Sequence, residues 1–99
     1  MENSQNSASE TENYKFILFI SGMSTKSSHA IENLRKISEK YLPKFELQII
    51  DIRTEQQKAV EYQILAVPTL IKTMPNPTRI ILGDLSDTEK VLKILDITE

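Results

Sequence analysis

ILAVPTLIKTMP, residues Ile64 to Pro75, sets a Val-Pro-Thr step between two apolar runs. Two short segments, PTLIKT (Pro68–Thr73) and RIIL (Arg79–Leu82), flank the turn MPNP (Met74–Pro77). Proline fixes its own φ and has no N–H, so MPNP reads as a stiff turn. A connection this short joins antiparallel neighbours, because parallel strands need a long crossover. The stretch therefore predicts a hairpin. Pro68 sets the chain direction at its entrance, and Pro75 and Pro77 stiffen its turn.

Upstream, YKFILFI (Tyr14–Ile20) is a short run of aromatic and β-branched residues. Its length predicts a strand buried on both faces. SGMST follows as a turn, with Gly22 free to take positive φ. From Thr25 to Leu42 the apolar residues Ala30, Ile31, Leu34, Ile37 and Tyr41 recur at helical spacings. Ser24 is the expected N-cap and Pro43 the stop. Glu32, Lys36, Glu39 and Lys40 form the solvated face of this helix. FELQIIDI (Phe45–Ile52) alternates at Phe45, Leu47 and Ile49, then runs apolar, which reads as a strand at the sheet edge. Its exposed backbone offers a docking line for a second copy or a third protein.

A short helix is expected over Glu55–Gln63, burying Ala59, Val60 and Tyr62. Ser86-Asp87-Thr88-Glu89 reads as a capping box, with Ser86 as N-cap and Glu89 reaching back to it. Gly83-Asp84 shapes the entry to this last helix, and Val91, Leu92, Ile94 and Leu95 face the core. The order β-α-β-α-β-β-α makes the first βαβ unit parallel and right-handed, and the closing hairpin antiparallel. The prediction is one α/β domain with a mixed sheet over residues 14–99, preceded by a disordered polar tail over residues 1–13.

Composition narrows the chemistry. The 99 residues carry a formal net charge of −2, which gives no whole-protein field for nucleic acid. The absence of cysteine excludes disulfides, thiol nucleophiles and thiolate metal sites. A single histidine, His29, leaves no basis for a zinc site or a triad, and it reads as a solvated helix residue. Two glycines are too few for a phosphate-cradling loop. No catalytic residue, cofactor or metal is expected. Ser21, Ser24, Ser27 and Ser28 would each need an adjacent base to act as a nucleophile, and they are assigned to capping and turns. No apolar run approaches the roughly 18 residues of a membrane span. MENSQNSASETEN lacks the basic-then-apolar pattern of a signal peptide. The expectation is a cytoplasmic protein with neither nucleic-acid nor membrane partners.

The element order is similar to that of thioredoxin-like proteins, where a proline placed like Pro68 is usually cis and faces a catalytic cysteine pair. This chain has the proline without the cysteines. Its motif string resembles the KaiB family. ILAVPTLIKTMPNPTRIILGDLSDTEKVL (Ile64–Leu92), with LFISGMS and AIENL before it, follows that family's ILATPTL-K--P-P-R--IGDLS---VL over residues 14–97. The combination of PTL, the P-x-P turn and GDLS at this spacing is specific. The resemblance implies a non-enzymatic regulator that binds the hexameric ATPase KaiC on its N-terminal ring, in a clock-like or stress-adaptation system. In cyanobacteria such proteins also capture KaiA and compete with a sensor kinase bearing a KaiB-like domain. The resemblance further implies two packings of one sequence: a KaiC-binding thioredoxin-like monomer and a distinct, often tetrameric, ground state. The alternative reading is a cysteine-free thioredoxin-like protein that serves a different partner.

Several positions depart from the family pattern. Ile94 stands where members commonly have glycine. Glycine costs a helix roughly 0.5 kcal/mol relative to isoleucine, and burying Ile94 adds about 1–2 kcal/mol. Pro68 and Ile94 are therefore read as determinants of the thioredoxin-like state, with the tetrameric ground-state fold as the alternative. Lys58, Lys72 and Arg79 are the candidate partner contacts. Gln63 occupies a position that is often basic, and Ile80 replaces one of a pair of arginines, so fewer cations face an acidic KaiC surface. Self-association, as a dimer or tetramer, is the second partner expectation.

Overall fold

The run from Phe16 to Ile20 has no polar side chain to turn toward water, and all five residues are buried in strand β1 (Tyr14–Ile20). The computed structural model describes residues 13–97. The expected tail, apart from Asn13, lies outside the described residues. Six further elements follow: α1 (Thr25–Tyr41), β2 (Phe45–Asp51), α2 (Gln56–Glu61), β3 (Thr69–Met74), β4 (Arg79–Leu82) and α3 (Thr88–Ile94). The sheet order is β2-β1-β3-β4, which places the most apolar strand inside. β1 and β2 are parallel, from Tyr14 opposite Phe45 to Ile20 opposite Asp51. β3 runs antiparallel to β1, with Phe19 opposite Thr69 and Phe16 opposite Lys72, and the register shifts at Lys15. β4 closes the hairpin, from Thr69 opposite Leu82 to Lys72 opposite Arg79.

The two faces of the sheet carry unequal cores. On the main face Phe16, Leu18, Ile20, Leu70 and Ile81 pack with Ala30, Leu34 and Ile37 of α1 and with Val91, Leu92 and Leu95 at the C-terminal helix. Ile94 is partly buried against the same cluster. On the second face a smaller cluster of Ile17, Phe19, Ile50 and Ile71 takes Ile52, Ile64 and Val67 as partly buried neighbours. α1 begins at Ser24, whose hydroxyl accepts from the Ser27 N–H, and ends at Leu42, whose N–H donates to the Ser38 carbonyl. Pro43 prevents a further turn. β2 is an edge strand. Phe45 and Leu47 pack against the main cluster, whereas Ile49 remains exposed. No helix of the described residues is long and apolar enough to cross a membrane.

Two elements differ from the sequence expectation. α2 buries none of its residues: Val60 is 70% exposed, and Tyr62, just past its end, is 41% exposed. The helix stops early because Gln63 takes a left-handed φ of 56°. The Gln63 N–H donates to the Val60 carbonyl and the Ile64 N–H to the Ala59 carbonyl. That hydrogen-bond pair is a Schellman stop, which terminates the helix and sends the following residue inward. Ile64 and Val67 then take the burial assigned to Val60, while the Tyr62 ring stays 5.4 Å from that of Phe19.

The second difference lies at α3. Its N-cap is Asp87, whose carboxylate accepts from the Lys90 N–H. The Ser86 N–H is taken by the Asp84 carboxylate, so the expected reciprocal box between Ser86 and Glu89 does not form. A charged acceptor makes the stronger cap hydrogen bond, which favours Asp87 over Ser86.

Candidate partner-binding surface

The loop from β1 to α1 is held by one carboxylate. The Asp51 Oδ1 accepts from the Gly22 N–H at 3.2 Å and from the Arg53 N–H at 2.9 Å. The Arg53 guanidinium binds both oxygens, at 3.0–3.3 Å. The hydrogen bonds from Arg53 lead in pulling the Asp51 pKa down to about 2, with a smaller contribution from Gly22. Gly22 has φ 61°, and a Cβ there would lie 2.7 Å from the Arg53 Cζ. The left-handed φ favours glycine, and a Cβ there would also oblige the Arg53 guanidinium to shift. Within α1, Ser27 is buried, and the Ser24 hydroxyl donates to its oxygen at 3.0 Å. His29 is exposed. Among the described residues no group of three or more His, Asp or Glu side chains is placed to hold a metal ion.

Pro68 opens β3 from a buried position. Its carbonyl accepts from the Gly83 N–H at 2.9 Å, and the Thr69 hydroxyl donates to the Ala66 carbonyl at 2.6 Å. The Val67–Pro68, Met74–Pro75 and Asn76–Pro77 peptide bonds are cis.

The candidate cations do not converge. Lys58 is exposed on α2, and Ile64, just after that helix, packs on the second face. Lys72 does not offer a surface contact in this fold, because it is only 1% exposed. Strand alternation sets Lys72 in phase with Leu70, on the main face, with its Nζ 5.9 Å from the centre of the Tyr14 ring. Arg79, directly across from Lys72, is half-exposed, and its Nε and Nη2 both donate to Asp96 Oδ2, at 3.2 and 3.1 Å. Asp96 sits at φ 59° in the Schellman stop of α3, where the Ile97 N–H reaches the Leu92 carbonyl.

The surface that sequence reasoning missed lies around α2. Ala59, Val60, Gln63, Ile64 and Leu65 line an open depression of about 480 Å³. Leu65 is 97% exposed and stands next to Ile64, which the helix stop turns inward. The only sequence signal for this surface was an apolar Leu65 in a segment too short to bury every apolar residue.

Comparison with known proteins agrees with this architecture. The KaiB domain family matches residues 17–97. Circadian clock protein KaiB3 of a Synechocystis strain is 44% identical over 81 residues, covering 81% of this chain and 79% of that protein. A circadian clock oscillator protein KaiB from a Synechococcus strain is 42% identical over 90 residues, covering 90% and 82%. Among solved structures, the N-terminal domain of Synechococcus elongatus SasA superposes with a TM-score of 0.70 at 21% identity, covering 85% of this chain and 84% of that one. Mitochondrial thioredoxin 3 of Saccharomyces cerevisiae superposes with a TM-score of 0.68 at 19% identity, covering 94% and 88%. These two likenesses show a shared thioredoxin-like fold. On the match to the domain family and the identity to curated relatives, the chain belongs to the KaiB family.

Proposed function

We propose that this chain is a regulatory protein without catalytic chemistry of its own, which binds and modulates a KaiC-like hexameric ATPase in the cytoplasm. The observation that carries this reading is the apolar surface on α2 and the turn after it. Leu65 and Val60 are 97% and 70% exposed on a segment fixed by a Schellman stop. Apolar side chains held out in this way suit a protein partner, since they lose nothing in packing when covered. Lys58 on the same helix supplies a cation that favours an acidic partner surface. Arg79 is a secondary contact, because Asp96 already offsets its charge. Pro68, tied to Gly83, and Ile94, packed on the main core, are assigned to holding the thioredoxin-like state.

The test is a titration of the labelled chain with the cognate KaiC-like hexamer and ATP, read by fluorescence anisotropy. Leu65→Asp is expected to weaken binding at least about tenfold, as truncation of a central apolar anchor does. Its melting temperature should stay unchanged. Lys58→Glu is expected to weaken binding most at low ionic strength. Equal affinity of Leu65→Asp and the unmodified chain would overturn the assignment of this surface.

A further inference from the structure

We infer that the open edge of β4 is a self-association site, at which two copies of this chain pair β4 to β4 in an antiparallel, two-fold arrangement. The hydrogen-bond phase of the hairpin leads to this. The Gly83 N–H donates to the Pro68 carbonyl at 2.9 Å. Bonded pairs alternate along an antiparallel ladder, so the bonded pairs of β4 are Ile81 with Leu70 and Arg79 with Lys72. The main-chain N–H and C=O of Ile80 and Leu82 therefore point away from β3. Among the described residues no strand lies beyond β4.

These same two residues carry exposed side chains, Ile80 at 59% and Leu82 at 66%. Strand alternation sets both on the second face of the sheet. The edge thus presents free backbone groups and uncovered apolar surface at the same positions, with no charge or proline between Ile80 and Leu82 to blunt it. The other edge differs. On β2 the outward-facing backbone belongs to Phe45, Leu47 and Ile49; the first two side chains already pack against the main core, and Ile49 is 36% exposed, less than either Ile80 or Leu82. Pairing at β2 would cover less new apolar surface.

The β4 edge is also complementary to itself. An axis through Ile81 places Ile80 of one copy opposite Leu82 of the other, and the reverse. Each of these two pairs exchanges both main-chain hydrogen bonds. Arg79 then lies opposite the partner's Gly83, which has no side chain to obstruct it, and one residue from the partner's Asp84. Hydrogen bonds from Ser86 hold the Asp84 carboxyl below the usual carboxylate range, so it is charged near neutral pH. Such an edge is small beside the roughly 1,200–2,000 Å² of a standard interface, so a weak, concentration-dependent dimer is expected. This inference is independent of the KaiC-like partner.

Sedimentation velocity of the full chain from about 10 μM to 1 mM tests it, the range a weak interface requires. The expected result is a monomer that shifts to a dimer with concentration, and at least tenfold weaker dimerisation for Ile80→Lys. A chain that stays monomeric throughout, or a dimer unaffected by Ile80→Lys, would overturn the proposal. Occupation of the edge by the chain's own N-terminal residues would show as the first of these results. Register is tested in the cysteine-free background. Mixing the Ile80→Cys and Leu82→Cys chains under mild oxidant should give a disulfide-linked heterodimer, because bonded antiparallel pairs hold their Cα atoms about 5.5 Å apart. Each variant alone should cross-link far less. Equal cross-linking of Ile80→Cys with itself would overturn the register.

Discussion

Among the described residues, three other than glycine adopt left-handed backbone: Gln63 at φ 56°, Leu85 at φ 65° and Asp96 at φ 59°. Replacing each by glycine should give three different signs, because their side chains do different work. The conformation costs an L-residue roughly 1–2 kcal/mol, and glycine escapes it. Gln63 is exposed and its side chain makes no hydrogen bond among the described residues, so Gln63→Gly should stabilise the fold by about 1 kcal/mol. For a chain of this size that raises the melting temperature by about 4–8 °C. Leu85 is only 4% exposed and belongs to the main core. Leu85→Gly gains the same backbone relief but loses a buried side chain worth about 2–5 kcal/mol, so it should destabilise. Asp96→Gly loses the ion pair to Arg79, which is partly exposed and worth about 0–1 kcal/mol, so it should stay near neutral. Thermal unfolding followed by circular dichroism, with urea titration as a second measure, reads all three. A fall in melting temperature for Gln63→Gly would refute the left-handed assignment and the helix stop built on it.

Further predictions follow from single sites. Ser38 is fully buried and its hydroxyl has no hydrogen-bond partner among the described residues. Ser38→Ala should therefore leave stability unchanged or raise it by about 1 kcal/mol, measured by urea denaturation. Leu34→Ala should lower stability by about 2–5 kcal/mol, since Leu34 is 0% exposed in the main core. Asp51 gives a pH dependence. Its folded pKa of about 2 lies below the ordinary 3.8, so the folded state holds its proton less tightly than the unfolded chain does. The stability it contributes is full above pH 4 and is lost as the pH falls toward 2. The urea midpoint should drop across that interval, and Asp51→Asn should flatten the drop.

The parts legible in the sequence were those decided by local pattern. Phe16–Ile20 could only be an inner strand, because it offers no polar face. Ala30, Leu34 and Ile37 could only be one side of a helix, and the MPNP turn could only join antiparallel strands. What stayed hidden depended on events without a residue signature. A Schellman stop normally announces itself with glycine. Here Gln63 and Asp96 fill that position, so the end of α2 and the exposure of Val60 were not visible. The burial of Lys72 was hidden because a lysine near a strand end reads as solvated. Only the phase of β3, fixed by Leu70, turns it inward. The shift of the α3 cap to Asp87 came from Asp84 taking the Ser86 amide, a competition that spacing alone does not rank.

The proposed function turns on a protein contact made through the surface of α2 and Leu65. It is tested most directly by size-exclusion chromatography with light scattering on the chain mixed with its cognate KaiC-like hexamer and ATP. Co-elution at a mass above that of the hexamer is expected, lost with Leu65→Asp and retained with Ser38→Ala. Separate elution of the unmodified chain and the hexamer after long incubation, or a complex that survives Leu65→Asp undiminished, would contradict it.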